Sequence, residues 1–553
     1  MSPSLEGSIK MFGKKEIPWF LLFFFVACYA QFVNRSFMFD PYYSLYGDAS
    51  NIYFFHNLHD PTLLTKDPLT HQFLAKFGIL NSGMGFFYVY KLLLNIFSLS
   101  IAIKFVSILL CLASTLVVYR WVLTTCSASY AIFLSGIFLI YFLSMDSFFS
   151  GIGRGFGAFL YVFFLFFISK EKFLLSFVCL LCCTLFYPAI LPGVFITYLL
   201  AIFFVKHPNS RLDWYWCHLA VLLAVIVIGS ILLIHSDSWC NILMNLKDLQ
   251  TYKLYQGRSS PVQMSDPVGV ILYFIFNLYE HSALYRYLTI FFSLVAISLV
   301  LVVKGWWRLP RIVWLMFAGA CISFFLILPF HPTTASRQFV FTMPLFLLFL
   351  IGHNLYKLLQ YKQSRPEMCL LLIMPLFLAA HVILNDINSF RLYQPVYDYF
   401  EKLPKDVLVA GPTKSKLIRT LPFFTKRPVY FSEKMRDSWR IFFSLEFVRE
   451  RRKSVIDAMY ADSLDVVRNF IKRSHVNYFI VESQYYDYDR AVKNDLFVTG
   501  NSDEASVYGY LERRLHEKNF ALFKFAQEHF DFKYEVPGNT IYVVSASSIS
   551  KGT

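Results

Sequence analysis

Long apolar runs, each bounded at one end by basic residues, recur between residues 17 and 384 and leave this chain few folds to choose from. A bilayer core about 30 Å thick takes roughly 20 apolar residues per helix, and on that measure about eleven candidate spans stand out. They lie near 17–34, 100–119, 130–147, 156–169, 173–188, 190–205, 216–235, 285–303, 312–330, 339–357 and 367–384. Those between 156 and 205 are short. Lys10, Lys14 and Lys15 precede the first run. Alternate connections then carry Arg120, Lys170 with Lys172, Lys206 with Arg211, Lys304 with Arg308 and Arg311, and Lys357 with Lys362 and Arg365. Basic loops stay on the cytoplasmic side, so the N-terminus is placed inside. An odd number of crossings puts everything after Leu384 outside.

Composition agrees. The chain is 57% hydrophobic and 16% charged, with a mean hydropathy of +0.50, against about 45–50% apolar and about 25% charged in soluble domains. The net charge of +15 is scattered at the ends of apolar runs rather than gathered on one face, which fits membrane orientation and not nucleic-acid binding. The cysteines Cys28, Cys111, Cys179, Cys182, Cys183 and Cys321 sit inside apolar runs and form neither a disulfide framework nor a metal set. The first run lacks a small-residue cleavage site and is read as a retained helix.

The division that follows is a multi-pass membrane domain, 1–384, with an exoplasmic loop, 36–99, and a C-terminal exoplasmic α/β domain, 385–553. The first loop concentrates Asp40, Asp48, His56, His59, Asp60 and Asp67 in an otherwise apolar chain. Asp48 has two readings: a general base whose pKa rises in a partly apolar pocket, or the cap of a helix starting at Ala49. Asp60 and Asp67 each precede proline, the mark of a turn or helix start. His56 and His59 either share a metal or pack as ordinary histidines. Residues 84–99 read as an interfacial helix, and the apolar piece 268–279 is too short to span. Beyond 385, strand-like runs at 407–411, 428–432, 476–483 and 541–547 alternate with helical patterns such as 462–474, whose Leu464, Val467 and Phe470 or Ile471 share a face.

Ionisable groups at membrane depth are costly and so are functional candidates. Those found here gather at the outer ends of the runs: Asp146 with Arg154, then Glu280, His281 and Arg286, then His331 with Arg337. Arg154 lies between glycines, where a planar guanidinium can grip a phosphate; the alternative is that it reaches to lipid headgroups or pairs with Asp146. Tyr187 and Pro188 mark a kinked outer turn able to line a groove.

Several short motifs resemble the GT-C superfamily of membrane glycosyltransferases, in particular an uncharacterised bacterial branch. They are Gly47-Asp48-Ala49, the aromatic stretch running to Asp60-Pro61, and Lys66-Asp67-Pro68. Ser150-Gly151 with Gly153-Arg154, Phe186-Tyr187-Pro188, Ala335-Ser336-Arg337-Gln338 and the run from Leu403 to Gly411 complete the set. The resemblance implies an α-helical polytopic membrane protein in a bacterial inner membrane. Such a protein moves a sugar from a polyprenyl-phosphate-linked donor to a glycan, lipid or protein acceptor on the outer face. It implies Asp48 as the catalytic base, Asp146 as a second acid, and Arg154 and Arg337 on the lipid phosphate. Asp60, Asp67, Tyr187 and His331 fill out the candidate substrate-binding set. The first loop departs from the family in lacking a compact Asp-x-Asp or Glu-x-Asp, so a divalent metal ion stays open as a cofactor. Two rival classes are a non-catalytic protein of surface-polysaccharide assembly and a lipid or solute transporter. A transporter would want internal repeats and midplane charges, and neither is visible.

Overall fold

The computed structural model describes residues 16–35, 52–75, 85–124, 127–144, 151–187, 190–204, 311–327, 390–432, 445–493 and 519–551, with isolated residues of 342–375 and 511–516. The apolar runs form helices whose ends fall close to those expected. They are α1 (Ile17–Arg35), then, after a short α2 (His56–His59), α3 (Pro68–Ala75) and α4 (Gly85–Leu93), the helices α5 (Leu99–Val122), α6 (Ala128–Ser144), α7 (Gly153–Ser169), α8 (Phe173–Phe186), α9 (Leu191–Phe204) and α10 (Arg311–Ile327). Among the described residues one helix, α5, is long and apolar enough to cross a membrane; Ile17–Tyr29, Ala128–Leu143, Gly153–Ser169, Phe173–Phe186, Leu191–Ile202 and Arg311–Ser323 are shorter apolar helices. The candidate spans at 216–235 and 285–303 and the piece 268–279 lie outside the described residues.

These helices satisfy their own polar side chains. Ser107, Ser114, Thr115, Ser135 and Thr197 each donate a hydroxyl to the carbonyl four residues earlier, at 2.6–2.9 Å. A hydroxyl can then be buried in an apolar helix without a lost hydrogen bond. Small residues set the closest approaches: a Cβ on Gly319 of α10 would lie 2.9 Å from the Thr197 main-chain nitrogen of α9, the kind of contact that lets helix backbones meet.

The C-terminal part is a mixed α/β unit: α11 (Gln394–Glu401), β1 (Val409–Ala410), α12 (Lys416–Thr425), α13 (Leu445–Met459), α14 (Leu464–Ser474), β2 (Tyr478–Glu482), α15 (Tyr488–Lys493), α16 (Ala521–Glu528), β3 (Phe532–Val536), β4 (Asn539–Ser545) and α17 (Ala546–Lys551). The sheet order is β1-β2-β4-β3, with β1 and β2 parallel and the other pairs antiparallel. α14 follows the expected pattern: Val467 and Phe470 are buried, and Ser463 accepts from the Asp465 amide as N-cap. β3 and β4 join through Pro537 and Gly538, the latter at φ +76°, as a type II turn requires. The strand expected at 428–432 is reduced to one bridge, Val409 with Val429. Pro428 has no N–H to continue a ladder, so only its carbonyl, accepting from Val409 at 3.0 Å, takes part.

The first loop does not stand apart from this unit. Residues 52–55, Leu63, Leu64 and Leu69 share one buried cluster with Phe390, Tyr397, Phe423, Val448, Phe479 and the sheet core. Asp67 is 1% exposed. It caps α3, accepting from the Thr70 amide at 3.1 Å and hydroxyl at 2.6 Å, from the Leu69 amide at 3.3 Å, and from the Tyr53 hydroxyl at 2.7 Å. Asp67→Ala should lower stability by about 2 kcal/mol or more, since it removes an N-cap and strands a buried phenol. Asp67→Asn, which keeps one acceptor, should cost less. Denaturant unfolding of the purified protein reads both.

Candidate functional site

Three elements meet at one end of the helical body. Phe55 packs on Phe86, Phe87 and Tyr90 of α4, with ring centroids 5.4–5.8 Å apart. The Tyr90 hydroxyl donates to the Gly151 carbonyl at 2.6 Å. Gly151 also leaves no room for a side chain: a Cβ there would strike the Tyr90 hydroxyl and lie 2.9 Å from the Ile103 carbonyl of α5. Next along the chain, a Cβ on Gly153 would come 2.8 Å from the Phe186 carbonyl, and one on Gly157 would fall 2.7 Å from the Tyr187 ring. Glycine is required here by close approach rather than by positive φ. The result is a first turn of α7 held between α4, α5 and the end of α8, with Arg154 in it.

Arg154 is half-buried at the N-terminal end of α7, where the helix dipole is positive. The C-terminal ends of α5 and α7 carry Arg120 and Lys170, so the basic ends lie opposite the Gly151 turn. Lys104, 1% exposed and one residue after Ile103, lies at the same end of α5 as that turn. Lys104 is not among the residues that the sequence pattern singles out. Its signal is there, a lone cation inside the strongest apolar run, but it looks like any basic helix end until Ile103 is seen against Gly151.

Of the residues singled out from sequence, Asp48, Asp146, Arg337 and His331 lie outside the described residues. Tyr187 packs against Gly153 and Gly157. Asp60 and Asp67 serve the docking of the loop. Asp60 pairs with Lys405 at 2.7 Å and accepts from the Thr62 amide and hydroxyl at 3.0 and 2.6 Å. Those bonds hold its carboxyl well below the usual range, the Lys405 bond foremost. Burial, by contrast, pushes the Asp67 carboxyl up against the pull of its hydrogen bonds. A second ion pair, Lys66 to Asp406 at 3.2 Å, lies on the same seam. His56 packs on Phe423 and its Nε2 lies 2.7 Å from the Phe423 carbonyl. Asp487, just before α15, accepts from the Arg490 amide at 3.2 Å and so closes the start of that helix. Among the described residues no three His, Cys, Asp or Glu converge as a metal set.

The described residues thus define a class by architecture: an apolar helical body carrying a small mixed α/β unit, joined by a docked loop. The solved structures similar to it include the oligosaccharyltransferase of Archaeoglobus fulgidus in its apo form, 12% identical, covering 89% of this chain and 72% of that one at a TM-score of 0.48. Archaeal AglB from the same organism, in complex with an inhibitory peptide and a dolichol-phosphate, matches over the same shares at 12% identity and a TM-score of 0.45. At scores below 0.5 these overlaps carry nothing into the chemistry. No protein-family model matches the chain, and no curated protein does either.

Burial lowers the His56 pKa to about 4, and the Phe423 carbonyl bond only partly opposes it. A folded pKa below the usual 6.5 means the neutral ring's contribution is complete above that value and is lost as pH falls through 6.5 toward 4. Acidification over that window should therefore loosen the seam by at most about 3 kcal/mol. His56→Gln, which can still donate to Phe423 but cannot charge, should flatten the dependence. Thermal unfolding in detergent between pH 4 and 7 checks it; equal slopes would count against His56 as the acid-sensitive contact.

Proposed function

We propose that the chain is an integral membrane glycosyltransferase of GT-C type, with about eleven spans. In this reading it passes a sugar from a polyprenyl-phosphate-linked donor to an acceptor on the outer face. The observation that carries the reading is the Gly151 to Gly157 turn. A guanidinium and a helix N-terminus lie together at the end of the apolar body where the ionisable first loop docks. Glycines and Tyr90 pack the turn against α4, α5 and the end of α8 and so fix where Arg154 starts the helix. That is a phosphate's environment at a lipid boundary.

The chemistry divides accordingly. Asp48 takes the proton of the acceptor hydroxyl or amine as its oxygen or nitrogen attacks the anomeric carbon. The bond from that carbon to the donor phosphate oxygen breaks, and the lipid phosphate leaves with the electron pair. Arg154, the α7 dipole and Arg337 offset the charge that builds on the departing phosphate, and Lys104 is placed to add to their field. Tyr187 lines the groove beside the turn. Binding the two substrates in register supplies the rest of the acceleration.

The test uses cells lacking the gene, complemented with variants at matched abundance and scored on surface glycans. Asp48→Asn should abolish one glycan, as expected for loss of a general base worth about 10²–10⁴ in rate. Arg154→Ala should reduce it by about 10²-fold or more, the scale of a lost charge-stabilising contact, with Arg154→Lys between the two. A glycan profile unchanged in both variants, against a clear defect in the deletion, would sink the reading.

A further inference from the structure

Where the first loop meets the C-terminal unit there is a cleft of about 790 Å³, within the size range of small-ligand sites. It lies away from the Gly151 turn, between Lys66 and Pro68 of the loop, the end of α14, the entries to β1 and β2, and α17. The charged side chains in its lining are Lys66, Arg451 and Lys472, with His475 beside them; Lys66 is committed to Asp406 at 3.2 Å. Lys472 is exposed and pairs with no acid among the described residues. Arg451 is fixed in place, stacked 3.8 Å over the Tyr430 ring with its Nε donating to the Tyr430 carbonyl at 2.6 Å. A preorganised cation of that kind loses little freedom on binding an anion.

The uncharged lining narrows the ligand further. Ser474 donates its hydroxyl to the Phe470 carbonyl at 2.7 Å, Ser550 to the Ala546 carbonyl at 2.8 Å, and Ser547 to the Ser545 hydroxyl at 3.1 Å. With these bonds made inside the protein, the three hydroxyl oxygens keep acceptor capacity, and the Asn477 side-chain amide adds a donor to the lining. A bare phosphate would leave most of a cleft of about 790 Å³ unfilled. A molecule with both an acid group and several hydroxyl donors matches both halves of the lining. We propose that the cleft binds an acidic saccharide, its carboxylate or phosphate set against Lys472 and Arg451 and its hydroxyls hydrogen-bonded to Ser474, Ser547 and Ser550.

This assignment does not depend on the transfer reaction, so its failure would leave that reading standing. The experiment is titration calorimetry on the full chain in detergent, with glucuronic acid, glucose 6-phosphate, glucose and inorganic phosphate as probes. The acidic sugars should bind at least about tenfold more tightly than glucose or phosphate, the factor expected from one charge-assisted contact. Lys472→Glu should weaken them by about tenfold or more on the same grounds, without shifting thermal unfolding. Ser550→Trp, which fills the cleft from an exposed position, should abolish binding independently of charge. Glucose bound as well as glucuronic acid would overturn the charge half of the proposal. Inorganic phosphate bound as well as glucose 6-phosphate would reduce the cleft to a simple anion site and overturn the saccharide half. No binding of either acidic sugar, or binding indifferent to both variants, would overturn the whole.

Discussion

The structure turns on the burial of Tyr53, Phe54 and Phe55 in a core they share with residues more than three hundred positions later. The His56 ring and the Phe423 carbonyl, 367 residues apart, lie 2.7 Å from each other. Each buried phenylalanine contributes about 1.5–3 kcal/mol by area alone, whereas the ion pairs Lys405–Asp60 and Lys66–Asp406 lie at the surface, where water screens them. The apolar contact therefore holds the seam, and the ion pairs fix its register.

From that seam the packing runs in one direction. Phe55 bears on Tyr90, Tyr90 bonds to Gly151, and Gly151 leads into the first turn of α7 with Arg154. A disturbance in the C-terminal unit can thus reach the turn at the apolar rim through contacts that each have one close-packed arrangement. The same seam forms the wall of the basic cleft through Lys66 and Pro68. Two regions with different chemistry are built on one docking event.

The sequence makes some of this plain and hides the rest for physical reasons. Apolar period and length mark α1 and α5 to α10 to within a few residues, because helix formation in such runs is decided locally. Asp67 before Pro68 is legible as a helix start, and α3 begins there. The α14 face is visible in Val467 and Phe470. What is hidden is non-local. Nothing in residues 52–55 says that they bury against Phe423 rather than lipid, and nothing in Lys66 or Lys472 says that they face one cleft. β3 escapes because Phe532 to Val536 alternates charge and aromatic on a half-exposed edge, a weak pattern by itself. Lys104 needs the Ile103–Gly151 contact before it looks like more than a helix-end cation.

The most direct measurement is amide hydrogen exchange on the full chain in detergent, comparing the native sequence with the Phe54→Ala/Phe55→Ala double variant. Protection of residues 52–70 should match that of β2 and β4 in the native chain, because they share a core. In the variant it should fall together across the loop, α12 and α4. A first loop that exchanges freely while the sheet stays protected, or a variant that loosens the loop alone, would contradict the account of one body built on that contact.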